Sequence, residues 1–251
     1  IPLAASFALV LAAPVLSDEA WISFSEIFLQ EAYEQVFRLL PLPDRWIDLG
    51  CHAGFFSLFV EQRRRLDGRG GRPQALLVDA DSRSARAIER VIALNRLEGQ
   101  MTFQHGAVSA GTGAVQFSQR AFMASGIAAV DDHPGEPSSV PIITPGRIVE
   151  LLSPPYDLVK VDIEGSEHDF IDHYEPVWNR ARHLVLECHD SPSTGNSWED
   201  GAGRIVRSTG FERLRLEGRA DVPEHPAGLL LLRTPAFHGH PAAAAAGLRQ
   251  A

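Results

Sequence analysis

The chain has few cysteines. Only Cys51 and Cys188 occur among its 251 residues, and both fall inside or beside predicted strand ends. Secreted domains that depend on disulfides carry many more cysteines, so no disulfide framework is implied. This cysteine usage favours a reducing, cytoplasmic compartment.

Clusters of positive charge are also scarce. The formal net charge is −9, and residues 63–65 (RRR) form the only tight basic cluster. That cluster falls at the predicted end of a helix, where cations stabilise the negative end of the helix dipole. Nucleic acid is usually held by clustered cations, so the sequence argues against a nucleic-acid partner.

Long hydrophobic runs are missing as well. Residues 1–16 are apolar, but they are fewer than the roughly 20 residues that span a membrane, and Pro2 and Pro14 interrupt them. We expect an ordered N-terminal segment that packs on the domain, with the remnant of a trimmed signal as the alternative. No membrane partner is expected.

The usual phosphate-binding loops are absent too. The chain has no GK[ST] loop for a nucleotide triphosphate. In WIDLGCHAG (46–54), three residues separate Gly50 from Gly54, so the GxGxxG pattern of dinucleotide-binding turns is incomplete. The two glycines nevertheless follow an apolar run, as in a strand that turns tightly into a helix.

Apolar runs that end in an acid recur along the chain. Such runs, separated by helical stretches, are typical of βαβ units and a parallel sheet in one α/β domain. The last two predicted strands should pair antiparallel at the sheet edge, and the polar residues 131–139 should form a loop over a site. Strands are predicted at residues 46–48, 74–79, 101–108, 114–117, 156–163, 183–189, 211–216 and 228–233, and helices at residues 23–40, 55–65, 82–96 and 198–208.

Four of these strands end in the acids Asp48, Asp79, Asp162 and Glu187. Parallel strands bring their carboxyl ends to one edge of the sheet, where ligands bind. We therefore predict a crevice lined with carboxylates. Asp79 follows the glycine turn by close to the ~20 residues typical of a ribose-binding acid, and its alternative role is to cap the next helix.

The stretch YDLVKVDIEGSE (156–167) places four charged residues, Lys160, Asp162, Glu164 and Glu167, in or just after an apolar strand. Charges are costly to bury unpaired, so these residues should face a cleft or pair with one another. The alternative is a Lys160 salt bridge with acidic capping of the next helix. His189 closes the strand HLVLECH (183–189) and should face the same crevice, although such histidines are often only polar neighbours.

A carboxylate-lined crevice without a phosphate loop suits a cofactor with a positive centre, a ribose and no phosphate. S-adenosylmethionine carries a sulfonium cation, a free amino group and adenosine. We therefore predict S-adenosylmethionine as the cofactor.

The motifs resemble those of the FkbM-type S-adenosylmethionine-dependent methyltransferases. DLGCHAG (48–54), GAVS (106–109), KVDIEGSE (160–167) and VLECH (185–189) follow one another in the order of that family, and FSEIFLQEAY (24–33) is similar to its segment before the first strand. The resemblance covers roughly residues 20–190. It departs from the family at Cys51-His52, commonly Ala-Asn, and at Asp79-Ala80, commonly Glu-Pro.

The resemblance implies a class I methyltransferase (Rossmann-like) α/β fold. That fold has a mostly parallel seven-stranded sheet with an antiparallel last strand and helices on both faces. We expect a methyltransferase domain over residues 45–235, preceded by a helical segment (1–44) that packs on it and followed by a frayed tail (236–251). The implied reaction is methyl transfer, usually to a hydroxyl oxygen of a small natural product or sugar.

The resemblance also implies roles for single residues. Asp48, Gly50 and His52 would line the methionine end of the cofactor, Gly54 would allow the close turn, and Asp79 would hold the ribose. The backbone near Gly106 and Ala107, with His105 as an option, would meet the adenine edge. Asp162 would serve both the cofactor and the reaction.

Methyl transfer is an in-line displacement, so positioning of the acceptor should supply most of the acceleration. Asp162, Glu187 and His189 are candidates for the base that takes the hydroxyl proton, with Lys160 and Glu164 orienting them. The sequence does not choose among them. Asp162, Glu164 and Glu187 could also gather Mg²⁺, but their spacing is not diagnostic and no metal is predicted.

Two other functions stay open at this stage. An NAD(P)-dependent oxidoreductase on a similar sheet is disfavoured by the missing glycine and the acidic strand ends, and a non-catalytic cofactor-binding module would share every feature above. Residues 123–140 and 190–196 should shape the acceptor pocket. The sequence names neither the hydroxylated acceptor nor the oligomeric state, for which a homodimer is one option.

Overall fold

The computed structural model describes residues 12–13, 17–119, 126–127, 136–189, 198–214 and 227–233. The helices there are α1 (Asp18–Phe24), a π-helix (Ser25–Leu29), α2 (Glu34–Leu39), α3 (Phe55–Leu66), α4 (Ser84–Asn95), α5 (Pro145–Leu151), α6 (Glu167–His173), α7 (Glu175–Trp178) and α8 (Trp198–Thr209). The strands are β1 (Arg45–Leu49), β2 (Gln74–Asp79), β3 (Met101–His105), β4 (Ala114–Gln119), β5 (Gly126–Ile127), β6 (Glu136–Pro141), β7 (Tyr156–Val161), β8 (Ala181–His189), β9 (Glu212–Leu214) and β10 (Ala227–Arg233).

Seven strands form the main sheet in the order β3–β2–β1–β7–β8–β10–β9. The first five are parallel, and β10 runs antiparallel to both β8 and β9. The predicted fold, the class I methyltransferase (Rossmann-like) fold with its antiparallel last strand, is confirmed. The predicted hairpin also forms, with its second strand inserted between β8 and the edge strand β9.

Both faces of the sheet are covered, which explains the apolar strand sequences. Neighbouring side chains of a strand point to opposite faces. In β1, Ile47 and Leu49 therefore pack in one apolar cluster, while Trp46 packs in the other, beneath α3. Strands buried on both sides need apolar residues at nearly every position, so Asp48, the fourth of the five residues of β1, is an exception that needs partners.

The predicted single helix over residues 23–40 is wrong. The helix widens into the π-helix and breaks before α2, where Glu31 adopts a left-handed conformation with φ 54°. Phe28 and Tyr33 lie about 140° apart around an ideal helix, yet both rings pack on α3, Phe28 against Phe59 and Tyr33 against Phe56. The break is what allows both rings to face α3.

The predicted strand over residues 114–117 exists, but not beside β3. As part of β4 it pairs antiparallel with β5 and β6 in a separate three-stranded sheet. The predicted loop over residues 131–139 is wrong from residue 136, where β6 begins, and residues 131–135 lie outside the described part. So do the predicted tail (236–251) and residues 1–11 and 14–16 of the N-terminal segment.

The cysteines and the possible membrane spans were also considered in the sequence. Cys51 and Cys188 are both free and buried. Among the described residues, no helix combines the length and the apolar character needed to cross a membrane.

Candidate functional site

The turn after β1 holds the strand ends together. The amide of Gly50 donates to the carbonyl oxygen of Val78 in β2 at 2.9 Å, and the amide of Asp162 donates to the carbonyl oxygen of Leu49 at 3.1 Å. Gly50 has φ +71°, and a Cβ built there would overlap the carbonyl oxygen of Asp162. Only glycine therefore fits at this position. Gly54, with φ +77°, opens α3 and makes the close turn that the sequence implied.

Asp79 connects this turn to the next one. Its Oδ2 accepts a hydrogen bond from the amide of His52 at 2.7 Å, and its Oδ1 accepts from the amide of Asp81 at 2.8 Å and from Ser84 Oγ at 3.2 Å. Burial raises the pKa of this carboxyl, and the two backbone hydrogen bonds oppose that rise. A carboxylate offers about four lone-pair sites, so Oδ2 can still accept from a ligand hydroxyl. The N-cap position of α4 is Arg83, so Asp79 does not cap that helix.

A cavity of about 790 Å³, counted out to its open mouth, lies at the carboxyl ends of β1, β2, β3 and β7. The carboxyl groups in its wall outnumber the permanent cations: Asp79, Asp81, Asp162 and Glu164 against Arg83. Arg83 Nε is itself 2.8 Å from Asp81 Oδ2. The apolar part of the wall comes from Val78, Ala107, Val108, Phe117 and Ile163.

Most of the predicted cofactor residues line this cavity. Gly50, His52, Asp79, Gly106, Ala107 and Asp162 all belong to its wall. His105 is turned away, with Nε2 3.0 Å from the carbonyl oxygen of Ala80. The Nδ1 atom of His52 is buried without a hydrogen-bond partner.

Asp48 requires a correction, because it lies behind the cavity wall. It is fully buried on the Trp46 face of β1, and its Oδ2 accepts from Ser57 Oγ at 2.8 Å. Burial raises the pKa of its carboxyl, while Lys160 and Ser57 oppose that rise. The resemblance implied that Asp48 lines the methionine end of the cofactor. That prediction is wrong, because the buried side chain cannot contact a ligand in the cavity.

Lys160 is buried and links the ends of β1 and β7. Its Nζ donates to the carbonyl oxygen of Gly50 at 2.9 Å and to Asp162 Oδ2 at 3.0 Å, and lies 3.6 Å from Asp48 Oδ1. Burial lowers the pKa of this amine, but Asp162, Tyr33 and Asp48 outweigh it, so the net pKa is raised. Lys160 therefore forms the salt bridge that the alternative interpretation expected. The same ion pair holds Asp162 at the cavity wall.

A second polar cluster adjoins the cavity at the ends of β7 and β8. His189 Nδ1 lies 3.0 Å from Glu167 Oε1, while its Nε2 lies 3.7 Å from Glu164 Oε2 and 4.0 Å from Asp162 Oδ1. Burial lowers the pKa of His189, but Glu167, Glu164 and Asp162 outweigh it and raise the pKa to about 10. Burial, followed by the charge of Asp162, raises the pKa of Glu164 to about 7.

Glu187 lies deeper and faces the N-terminal segment. Its Oε2 accepts from the hydroxyl of Tyr33 at 3.5 Å. The charge of Asp162, followed by burial, raises its pKa to about 7. The three predicted base candidates thus surround one region, but only Asp162 belongs to the cavity wall.

Tyr33 and Phe117 reach the site without having been predicted from the sequence. Tyr33 comes from the N-terminal segment and Phe117 from the separate sheet, so both arrive only through tertiary packing. Glu167, which was expected to be paired or to face a cleft, lies behind His189 and pairs with it. Most of the loops predicted to shape the acceptor pocket, residues 123–140 and 190–196, lie outside the described residues.

Comparison with known proteins gave structural matches only. No family model and no curated protein sequence matches the chain.

Three of the similar solved structures are methyltransferases or methylases. Fibrillarin from Aeropyrum pernix, crystallised with S-adenosyl-L-methionine, has 12% identity and a TM-score of 0.46 over 77% of this chain and 68% of its own. The O-methyltransferase from Bacillus cereus, in complex with SAH, has 11% identity and a TM-score of 0.46 over 92% and 88% of the two chains. The ribosomal protein L11 methylase from Lactobacillus delbrueckii has 13% identity and a TM-score of 0.46 over 82% and 78%. At these values the matches describe a likeness and carry no argument about activity.

Proposed function

We propose that the chain is an S-adenosylmethionine-dependent methyltransferase of the FkbM type that methylates a hydroxyl oxygen of a small natural product or sugar. The observation that carries the proposal is the cavity at the strand ends. Its wall combines a carboxylate at the end of β2, an apolar side and an excess of acids over permanent cations. This combination suits a cationic adenosine compound without phosphate.

The residues present fit that cofactor part by part. Asp79 Oδ2 has a free lone pair for a ribose hydroxyl, and the apolar side at Ala107, Val108 and Phe117 suits the adenine ring. His52 belongs to the cavity wall beside Gly50, on the side that would hold the methionine end. Asp162 and Glu164 supply negative charge near the sulfonium. The bound cofactor would supply an electrophilic methyl group.

The dinucleotide alternative is disfavoured by topology. Classical dinucleotide-binding sheets have the all-parallel order 3-2-1-4-5-6. Here β10 is antiparallel and is inserted between β8 and β9. The glycine turn also lacks the third glycine of the dinucleotide motif.

The second polar cluster is where the acceptor hydroxyl would lose its proton. Asp162 is held by Lys160 at the boundary between the cavity and this cluster, next to Glu187 and His189. A base must come within about 3 Å of the hydroxyl that it deprotonates. Asp162 and Glu187 therefore remain the candidates, and the acceptor would approach from their side of the cavity. His189, whose pKa is raised to about 10, holds its proton at neutral pH and would orient these carboxylates.

The ribose assignment makes a prediction about Asp79. An Asp79→Asn variant should bind S-adenosylhomocysteine about 10–100-fold more weakly, because the amide loses the charge-assisted acceptor for the ribose hydroxyls. The wild-type chain should prefer adenosine to 2′,3′-dideoxyadenosine, and the variant should lose that preference. Calorimetric titration with the two nucleosides measures this difference.

The nucleoside comparison also controls for damage to the turns that Asp79 holds, since such damage would weaken the binding of both nucleosides equally. A surface variant with the same charge change, Asp172→Asn, should bind like the wild type, because Asp172 pairs with Arg204 at an exposed position. An Asp79→Asn variant that kept the full preference for adenosine would refute the ribose assignment.

The base assignment makes a second prediction. Of the variants Asp162→Asn, Glu187→Gln and His189→Gln, the one that removes the base should lower kcat by about 10²–10⁴-fold. Glu187→Gln should leave S-adenosylhomocysteine affinity unchanged, because Glu187 is outside the cavity wall. The measurement is a screen of hydroxylated acceptors with isotopically labelled methyl donor, read by mass. Wild-type kcat in all three variants would remove these residues from the mechanism.

A further inference from the structure

The polar cluster at the ends of β7 and β8 contains three groups that can ligate a metal. Asp162, Glu164 and His189 each turn one ligand atom toward the others, and all three atoms lie within 4.8 Å of one another. The sequence had suggested Glu187 in place of His189, but Glu187 is turned toward Tyr33. The structure thus replaces a set of three carboxylates with a set of two carboxylates and one imidazole.

We propose that Asp162, Glu164 and His189 form a binding site for a first-row divalent cation such as Mn²⁺. Carboxylates suit hard divalent ions, and an imidazole ligand favours a transition metal over Mg²⁺. The inference concerns metal binding alone and does not depend on the proposed methyl transfer.

The imidazole is already oriented as a ligand. His189 Nδ1 lies 3.0 Å from Glu167 Oε1, and Glu167 is only 3% exposed. Glu167 Oε1 is fixed by the amides of Ile163, at 3.3 Å, and Gly165, at 3.2 Å. A buried carboxylate behind a histidine is the usual support of a metal-ligating imidazole, since it holds the ring at Nδ1 and directs Nε2 toward the ion, which would displace the Nε2 proton.

Lys160 leaves one oxygen of Asp162 for the ion. Its ammonium group occupies Asp162 Oδ2 at 3.0 Å, while Asp162 Oδ1 faces His189 Nε2 at 4.0 Å. Glu164 Oε2 lies 3.7 Å from the same nitrogen. Adjacent ligands of an octahedral ion with bonds of about 2.1 Å lie about 3 Å apart, so small rotations of the side chains would close the site.

The cluster has the charge and the access that an ion needs. Asp162, Glu164 and Glu167 meet there. Lys160 pairs with Asp162, and His189, which faces all three carboxylates, would bind the ion as a neutral imidazole. The side chains of the three ligands are 16–36% exposed, so an ion can enter from solvent. Three protein ligands leave further coordination positions for water or an acceptor oxygen.

The test is a titration of the metal-stripped full chain with Mn²⁺, with free Mn²⁺ read from its electron paramagnetic resonance signal. We expect one Mn²⁺ per chain. Asp162→Asn, Glu164→Gln and His189→Gln should each weaken binding at least about 10-fold, and Glu167→Gln should weaken it about 10–100-fold through His189. Thermal unfolding checks that each variant is folded. Glu164→Gln should disturb folding least, because Glu164 is the most exposed of the three ligands.

The matched control is Glu175→Gln, which removes an exposed carboxylate outside the cluster and should leave the Mn²⁺ affinity unchanged. A wild-type chain without saturable, stoichiometric Mn²⁺ binding would overturn the proposal. Unchanged affinity in the folded ligand variants would overturn it as well. No S-adenosyl compound is present in this titration, so its outcome is separate from that of the methyl-transfer tests.

Discussion

Gly50→Ala should destabilise the protein by more than about 4 kcal/mol or prevent folding, a loss that only a few kinds of substitution produce. The added Cβ would overlap the carbonyl oxygen of Asp162 and lie 2.7 Å from its carbonyl carbon. The two backbone segments cannot simply move apart. The amide of Asp162 is hydrogen-bonded to the carbonyl oxygen of Leu49, and the carbonyl oxygen of Gly50 is hydrogen-bonded to Lys160. Urea unfolding at constant pH measures the change in free energy.

Gly111→Ala is the matched control for this substitution. Gly111 also has a positive φ, +87°, but no atom lies within 4 Å of a Cβ built there. Only the backbone strain remains, which costs about 1–2 kcal/mol for a left-handed residue. If the two variants lost the same stability, the contact between Gly50 and Asp162 would not be what requires glycine at residue 50.

Lys160→Met should cost about 3–5 kcal/mol, the usual effect of leaving a buried charge without its partner. Lys160 is the only lysine in the chain and is 4% exposed. Its loss leaves the fully buried Asp48 with Ser57 as its remaining polar partner and removes the ion pair that holds Asp162. Unfolding in urea gives the size of the effect.

A double-mutant cycle separates this electrostatic cost from lost packing. In an Asp48→Asn background, Lys160→Met should cost about 1–3 kcal/mol less, because a neutral amide needs no counter-charge. Removal of an exposed cation, in Arg147→Gln, should cost under about 1 kcal/mol. An equal cost of Lys160→Met with and without Asp48 would show that the two residues are not coupled.

The sheet and the position of the site could be predicted from the sequence because their signals are local. Apolar runs that end in Asp79 and Asp162, and the glycines at residues 50 and 54, fix the strands and the turn without reference to distant residues. Parallel pairing then brings the strand ends to one edge. For Asp79, Gly50 and Asp162, sequence order was enough to place them around one cavity.

The side on which each charge would lie could not be predicted in the same way. A run apolar on both faces does not show which face Asp48 joins, and the structure pairs it with Ser57 and Lys160 beneath α3. Glu187 and His189, two residues apart on β8, point to one face, yet Glu187 faces Tyr33 while His189 faces Glu167. Tertiary partners decide these orientations, and no short motif encodes them.

The N-terminal segment is a further case in which packing overrides local pattern. Its apolar spacing predicted one continuous helix, whereas the aromatic contacts with α3 favour a π-helix and a break. The break also carries Tyr33 to Glu187. The family-like FSEIFLQEAY stretch therefore contributes a residue to the polar cluster, which its helical periodicity alone did not indicate.

The most direct test of the central claim is one calorimetric experiment, in which the full chain is titrated with S-adenosylhomocysteine and, separately, with NAD⁺. A cavity with an unshared lone pair on Asp79, an acid-rich wall and no loop for phosphates should bind S-adenosylhomocysteine at one molecule per chain and should give no saturable heat with NAD⁺. Saturable binding of NAD⁺ without binding of S-adenosylhomocysteine would contradict the account.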